Sequence, residues 1–213
     1  NSDYIIDLSQ FISSDEGSKG HLFYNFNKDY VNKDSDNVEL NIKLEHVTND
    51  TYLKTYKLES PIINNTSILS SSIGITYNNN FESLDTKIDV YEDLSKIDSD
   101  KYEYVPNFYF SKILNDNFIF NSEGYYKNYN TNITEKILIN DFEYSSTPIY
   151  YEKGIINQKK FLIKNINSEA KNSNNYKNKS NFNLIPTLQT NYSFPLKKET
   201  KKFNKILTPQ FSL

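Results

Sequence analysis

The sequence predicts an all-β chain: an antiparallel meander forming part of a large transmembrane β-barrel. Three observations lead there. The first is a period of two. In Phe182–Leu196, the residues Phe182, Leu184, Pro186, Leu188, Thr190, Tyr192, Phe194 and Leu196 fall on one side. Asn183, Ile185, Thr187, Gln189, Asn191 and Ser193 fall on the other. Side chains of an extended strand alternate between faces, so this reads as one amphipathic strand. At ~3.3 Å per residue it runs on the order of 45 Å, far beyond the usual soluble strand. The second observation is composition. Aromatics make up 15% of the 213 residues, with 18 Tyr and 14 Phe against 5 Gly, and such residues favour strands. The third is that short and long connections alternate, as when strands run up and down between two different environments.

The elements follow in order. Asp3–Ser13 is a strand with Tyr4, Ile6 and Leu8 on one face, and 15–20 (DEGSKG) is a turn. His21–Lys28 groups Leu22, Tyr24 and Phe26, and Asn32–Asp36 is a polar loop. Asn37–Val47 sets Val38, Leu40, Ile42 and Leu44 against Glu39, Asn41, Lys43 and Glu45. Thr48–Tyr56 breaks the period. There Asn49 or Asp50 caps one helical turn whose apolar side is Tyr52, Leu53 and Tyr56. Lys57–Thr66 is irregular.

A meander of strands continues from Ser67–Tyr77, through a tight turn at Asn78–Phe81, to Ser83–Glu92 with Leu84, Ile88 and Val90 on one face. After a loop at Leu94–Asp100 come Lys101–Leu114, a very tight turn at Asn115–Asn117, and Phe118–Tyr129. Asn130–Thr134 links to Lys136–Tyr151, which turns at Gly154 into Asn157–Asn167. Ser168–Asn181 is a long polar loop before the strand at Phe182. Pro186 requires that strand to bulge there or to start after it, because Pro lacks a ladder donor. Lys197–Lys205 connects to a last strand at Ile206–Leu213. About eleven strands result, with no helix-length pattern between them, so the sheet is antiparallel.

Composition narrows the function. A net charge of -3 gives no basic field for nucleic acid. No run approaches the ~18 apolar residues of a membrane helix, and mean hydropathy is -0.70. A membrane barrel shows lipid only alternate residues, so it escapes the usual inference from low hydropathy. Zero Cys removes disulfides and thiolate sites from these residues. Abundant Asn and Lys without Arg read as the mark of an AT-rich genome, so Asn runs and the N-x-S/T sequons carry little weight. The chain begins at Asn1 and stops in mid-pattern at Leu213. It is therefore expected to be a single segment, residues 1–213, of a longer protein.

No residue is assigned to catalysis, metal or cofactor binding, and no enzyme activity or cofactor is expected. The carboxylate pairs Asp85/Asp89 and Glu39/Glu45 alternate with Lys, as a solvated face or lumen does. His21 and His46 lie at different strand ends, short of the three or four ligands a metal needs. No G-x-S-x-G supports a Ser-His-Asp triad. The Tyr pairs 102/104, 125/126 and 150/151 sit near strand ends, as in an aromatic girdle.

Six stretches, in order, carry a resemblance: GSKGHLFYNFNK (17–28), NVELNIKLEHVTNDTYLKTY (37–56), FESLDTKIDVYEDLSKIDSDKYEYVPNFYFSK (81–112), TEKILINDFEYSS (134–146), NFNLIPTLQTNYSFPLKK (181–198) and LTPQFSL (207–213). Together they resemble the central barrel of the LPS-assembly outer-membrane protein (LptD) family, also called organic solvent tolerance protein. The resemblance implies a place in the Gram-negative outer membrane and delivery of lipopolysaccharide to its outer leaflet. It implies outer-membrane lipid around the wall, an LptE-like plug lipoprotein in the lumen, and an LptA-like periplasmic bridge docking on an N-terminal jelly-roll domain outside these residues. Val38, Leu40, Ile42, Leu44, Leu84, Ile88 and Val90 would face lipid. The family's cysteines are absent, and none of its functional residues maps onto a position here. The residues alone leave open another porin or channel barrel, or a soluble secreted β-rich surface or adhesion protein.

Overall fold

The computed structural model describes residues 2–13, 17–31, 36–129, 132–199 and 204–213. Nearly all of them are strand, and the strands are long. They are β1 (Ser2–Ser13), β2 (Gly17–Val31), β3 (Asn37–Val47), β4 (Ile68–Asn78), β5 (Glu82–Asp93), β6 (Tyr102–Asn115), β7 (Phe118–Tyr129), β8 (Ile133–Ser145), β9 (Ile149–Tyr150), β10 (Ile156–Lys171), β11 (Ser180–Ser193), β12 (Leu196–Glu199), β13 (Asn204–Leu207) and β14 (Gln210–Ser212). One helical turn, α1 (Tyr52–Tyr56), lies between β3 and β4. Twelve strands form one antiparallel meander in the order β1 to β8, β10, β11, β14, with β9 paired to β10. β12 and β13 form a separate hairpin.

Several expectations are refined. β3 and β7 have the expected bounds. Lys136–Tyr151 is not continuous: β8 ends at Ser145 and the ladder resumes in β9. Pro148 has no N–H to give there, and the gap is bridged by Ser146, whose N–H donates to Lys159 O at 2.8 Å. β10 runs to Lys171, so the polar loop shrinks to residues 172–179. The last strand divides at Pro209, its first part closing the β12–β13 hairpin and its second pairing with β11. Parts of the expected turn at 15–20, the loop at 32–36, the link at 130–134 and the connection at 197–205 lie outside the described residues.

β11 neither bulges nor starts at Pro186. Its register with β10 is continuous, with Ile163 opposite Pro186. On its other side β11 pairs with β14 through residues 191–193. Pro186 thus lies along an outer edge, where a missing donor costs no ladder bond. Pro106 is central and does leave a mark: it pairs with Ile88 on β5, but the ladder to β7 skips from Tyr104 to Asn107.

Asparagine has a use that genome composition hides. Asn79 Oδ1 accepts from the N–H groups of Phe81 (2.8 Å) and Glu82 (2.7 Å). Asn115 Oδ1 does the same for Asn117 (2.9 Å) and Phe118 (3.1 Å), and Asn65 for Ser67 (2.7 Å) and Ile68 (3.3 Å). These are Asx turns, in which a short side chain replaces the backbone acceptor. Those of Asn79 and Asn115 close the connections 79–81 and 116–117 at one rim of the sheet, and that of Asn65 leads into β4 at the other. At the opposite rim lie the longer connections 48–67, 94–101 and 172–179, but β7 and β8 are joined there by only three residues and the path from β8 to β10 at the first rim takes ten (146–155), so the expected alternation of short and long connections does not hold throughout.

The buried core is small and sits at that opposite rim. Phe23, Val47, Tyr52, Leu53, Ile62, Leu69 and Leu94 form it, with Phe23 and Leu53 fully buried. The segment 48–67 folds over the strand ends to make this cap. The cap position of α1 is Thr51 rather than Asn49 or Asp50, and the Thr51 side chain makes no capping bond. Asn49 still braces it, accepting from Thr51 N at 3.0 Å.

Candidate membrane-facing surface

The registers place side chains on two faces with opposite chemistry. One row across the sheet reads Tyr4, Phe26, Ile42, Ile73, Ile88, Pro106. The next toward the short-turn rim is Lys28, Leu40, Ile75, Thr86 and Phe108, and the one after it Tyr30, Val38, Tyr77, Leu84 and Phe110. Further along the same face lie Leu138, Phe142, Tyr144, Phe161, Ile163 and Leu188. Every residue expected to face lipid (Val38, Leu40, Ile42, Leu44, Leu84, Ile88 and Val90) is on this face. Of these, Ile88 is 47% and Leu44 39% exposed and the other five are half-buried; elsewhere on the face Ile73 is 48% and Leu188 70% exposed. The chain exposes 14731 Å². A compact protein of its mass exposes roughly 10,000 Å², a surplus of several thousand Å².

Charge marks the upper and lower limits of this apolar face. On β5, Glu82 and Glu92 share it, ten residues apart, with Leu84, Thr86, Ile88 and Val90 between. Beside Glu82, Lys112 of β6 closes an ion pair at 3.0 Å. At the other limit Lys101 reaches Glu92 at 2.6 Å. β10 repeats the spacing with Lys159 and Glu169, the latter 3.4 Å from Lys136. Ten residues at ~3.3 Å, inclined by the ~40° usual in membrane barrels, give a band about 25 Å tall. Lys28 falls inside it on β2. Its ammonium lies 4.5 Å from the Tyr30 ring centroid, reaching toward the short-turn rim. Aromatics gather at that rim, where Phe118 packs on Tyr144 at 4.8 Å and on Phe142 at 5.4 Å between centroids.

The opposite face is polar and internally paired. Lys43–Glu45 (2.6 Å), Lys87–Asp89 (2.8 Å), Lys127–Glu103 (2.7 Å) and Lys164–Asp141 (2.8 Å) all lie on it. The carboxylates singled out in the sequence are therefore placed apart from one another. Glu45 also accepts from Ser70 N at 2.6 Å, and Asp89 from Asn107 Nδ2 at 3.5 Å. Of the expected Tyr pairs, Tyr102 and Tyr104 share the apolar face, whereas the second pair divides, with Tyr126 on the apolar face and Tyr125 on the polar one.

His21 and His46 also lie on opposite faces, since His46 pairs with Leu22 and His21 with Val47. Among the described residues no three His, Asp or Glu gather as metal ligands. His21 is brought to Ser9 (Oγ to Nδ1, 2.9 Å) and Asp7 (Oδ1 to Nε2, 3.2 Å). Ser9 Oγ also bonds Tyr52 OH at 2.8 Å, so its one donor and its acceptor are both engaged. This chain of bonds fastens the cap to β1 and β2, with His21 stacked on Phe23 at 4.4 Å.

A second clasp holds the cap at β5 and β6. Lys101 Nζ donates to Asp50 at 2.7 Å besides pairing with Glu92. Burial works against its charge, but hydrogen bonds and the charges of Asp50 and Glu92 outweigh that and raise its pKa above the ordinary value.

Sequence reading missed a stripe of amides on the apolar face. Ser122 Oγ donates to Asn140 Oδ1 at 2.8 Å, and Asn140 Nδ2 to Asn165 Oδ1 at 3.2 Å. Asn167 Nδ2 also donates to Asn165 Oδ1, at 2.6 Å. Each residue alone looks like one more Asn in an Asn-rich chain. Strand register brings them together. The ten-residue charge spacing was legible in the sequence, as even-numbered separations between Glu82 and Glu92 and between Lys159 and Glu169.

No family model matches the chain, and no curated protein matches it.

Proposed function

We propose that this sheet is a stretch of wall from an outer-membrane β-barrel. The observation that carries this is the apolar band: about 25 Å tall, limited by charges at both rims, and backed by a polar face. That height matches the hydrocarbon-facing band of such barrels. A bilayer is the solvent in which an exposed apolar face costs nothing, and between neighbouring strands the ladders occupy the backbone groups within it, apart from the skip beside Pro106 and the outer edges of β1 and β11. The outer edges of β1 and β11 then pair with further strands of the same barrel, which removes the aggregation hazard of long open edges.

Within that class, the ordered sequence stretches favour the LPS-assembly outer-membrane family. On this reading the polar face lines a lumen, and the barrel delivers lipopolysaccharide to the outer leaflet without catalysing a reaction. The test is depletion of the full-length protein in its own cells, followed by surface labelling of lipopolysaccharide and membrane fractionation. The expected result is heat-modifiable gel mobility in the outer-membrane fraction and loss of newly made lipopolysaccharide from the surface. Undiminished surface lipopolysaccharide with lost solute uptake points instead to a channel. A chain that stays soluble without detergent refutes the membrane wall altogether.

A further inference from the structure

On the apolar face, β8 presents Lys136 at the rim and Leu138 one step inward. A hollow lies on each side of Leu138, and both reach Lys136. One, of about 660 Å³, crosses β7 and β6 toward Thr86, with Pro106 and Phe108 in its wall. The other, of about 390 Å³, crosses β10 toward Phe182 on β11, over Asn167. The larger hollow exists because position 124 is Gly. A Cβ there would lie 3.0 Å from the Phe108 ring and 2.7 Å from Ile137 O.

We propose that these two hollows and Lys136 form a specific site for one anionic two-chain phospholipid. This rests on the membrane-wall reading. The two acyl chains straddle Leu138, one in each hollow, and the phosphate lies at the rim against Lys136. Charge selects the headgroup. The Lys136 ammonium is half exposed, leans over the Tyr126 ring at 5.7 Å and gives one donor to Glu169 Oε2 at 3.4 Å, which leaves its others to turn outward. Glu169, 3.4 Å away and equally open, is the one repulsive element beside the phosphate. Asn167 sits one step below the rim, at the depth of ester carbonyls, beside the second chain. A chain-filled hollow also covers Leu138 and Phe182, which are 38% and 67% exposed.

Native mass spectrometry of the full-length protein, released from detergent with dipalmitoyl phosphatidylglycerol, lyso-phosphatidylglycerol or dipalmitoyl phosphatidylcholine, tests this. One diacyl phosphatidylglycerol is expected to be retained in preference to the other two, and inorganic phosphate should not displace it. Lys136→Gln should weaken retention about fivefold, the effect of one surface cation on an anionic lipid. Glu169→Gln should strengthen it, an opposite sign that general damage to the fold would not produce. Equal retention of the three lipids, or the same direction of change in both variants, overturns the site. A protein that enters bilayers but shows no such preference overturns this site and leaves the barrel wall standing. One that never enters bilayers overturns both.

Discussion

Two populations of apolar residues coexist in this chain. Phe23 and Leu53 in the rim cap are fully buried, whereas Ile73 and Ile88 in the band are about half exposed. Both sets are large and aliphatic or aromatic, and the same chain folded both. The cap shows that this sequence can build a water-excluding protein core where it needs one. It does so through a segment that leaves the sheet and returns across its strand ends. The band has no such covering, although its row from Tyr4 to Pro106 crosses six strands. The difference teaches that the band's partner is not another part of the described chain. Cap residues are stabilised against water by protein, and on the proposed reading band residues are stabilised by lipid.

The largest effect is expected in the cap. Leu53→Ala leaves a cavity among Phe23, Tyr52 and Leu69, and should destabilise it by about 2–5 kcal/mol whether the protein is in detergent or bilayer. Amide exchange of residues 48–67 should then rise sharply while the strands of the band stay protected.

In the band the sign depends on the medium. Ile88→Lys should impair assembly by roughly 2–4 kcal/mol in a bilayer. Asp85→Lys, on the polar face of the same strand, should be tolerated. Folding yield of the full-length protein into vesicles measures both. Asp89 is a poorer control than the period alone implies, because it is buried and bound to Lys87 and Asn107.

A smaller effect belongs to the clasp. Lys101→Met removes the contacts to Asp50 and Glu92, and should loosen the cap by about 1 kcal/mol. The pKa of Lys101 is raised on folding, so its contribution is complete below the ordinary value of 10.5 and is lost as pH climbs through the folded value. A spin label at Lys54→Cys should therefore stay immobile at neutral pH and gain mobility only in strongly alkaline solution. In Lys101→Met it should be mobile at both.

Much of the fold was readable in the residues. Period two located the bounds of β3 and β7 and assigned the faces of β1, β2, β3, β5 and β11. It also separated the helical turn at Tyr52–Tyr56 from its surroundings. What escaped depends on partners rather than on local pattern. The gap between β8 and β9 is set by Pro148 meeting a ladder with β10. The straight path through Pro186 interrupts no ladder among the described strands, because β11 is the outermost of them there. The true extent of β10 comes from its register with β8, where Lys171 pairs with Thr134. The site was half legible. Alternation named the apolar face, but the rim ion pairs, the amide stripe from Ser122 to Asn167 and the hollows beside Leu138 arise from cross-strand register. No stretch of sequence displays that by itself.

The direct test of the central claim is a nitroxide scan along β5. The chain has no Cys, so single-Cys substitutions from Leu84 to Val90 can be labelled one at a time in the full-length protein, once any Cys elsewhere in it is replaced. Accessibility to oxygen, which concentrates in lipid, is then compared with accessibility to a water-soluble nickel chelate, in vesicles. Labels at 84, 86, 88 and 90 should favour oxygen, and those at 85, 87 and 89 should favour the chelate or neither reagent. Chelate access at Ile88 equal to that at Asp85 would contradict the account.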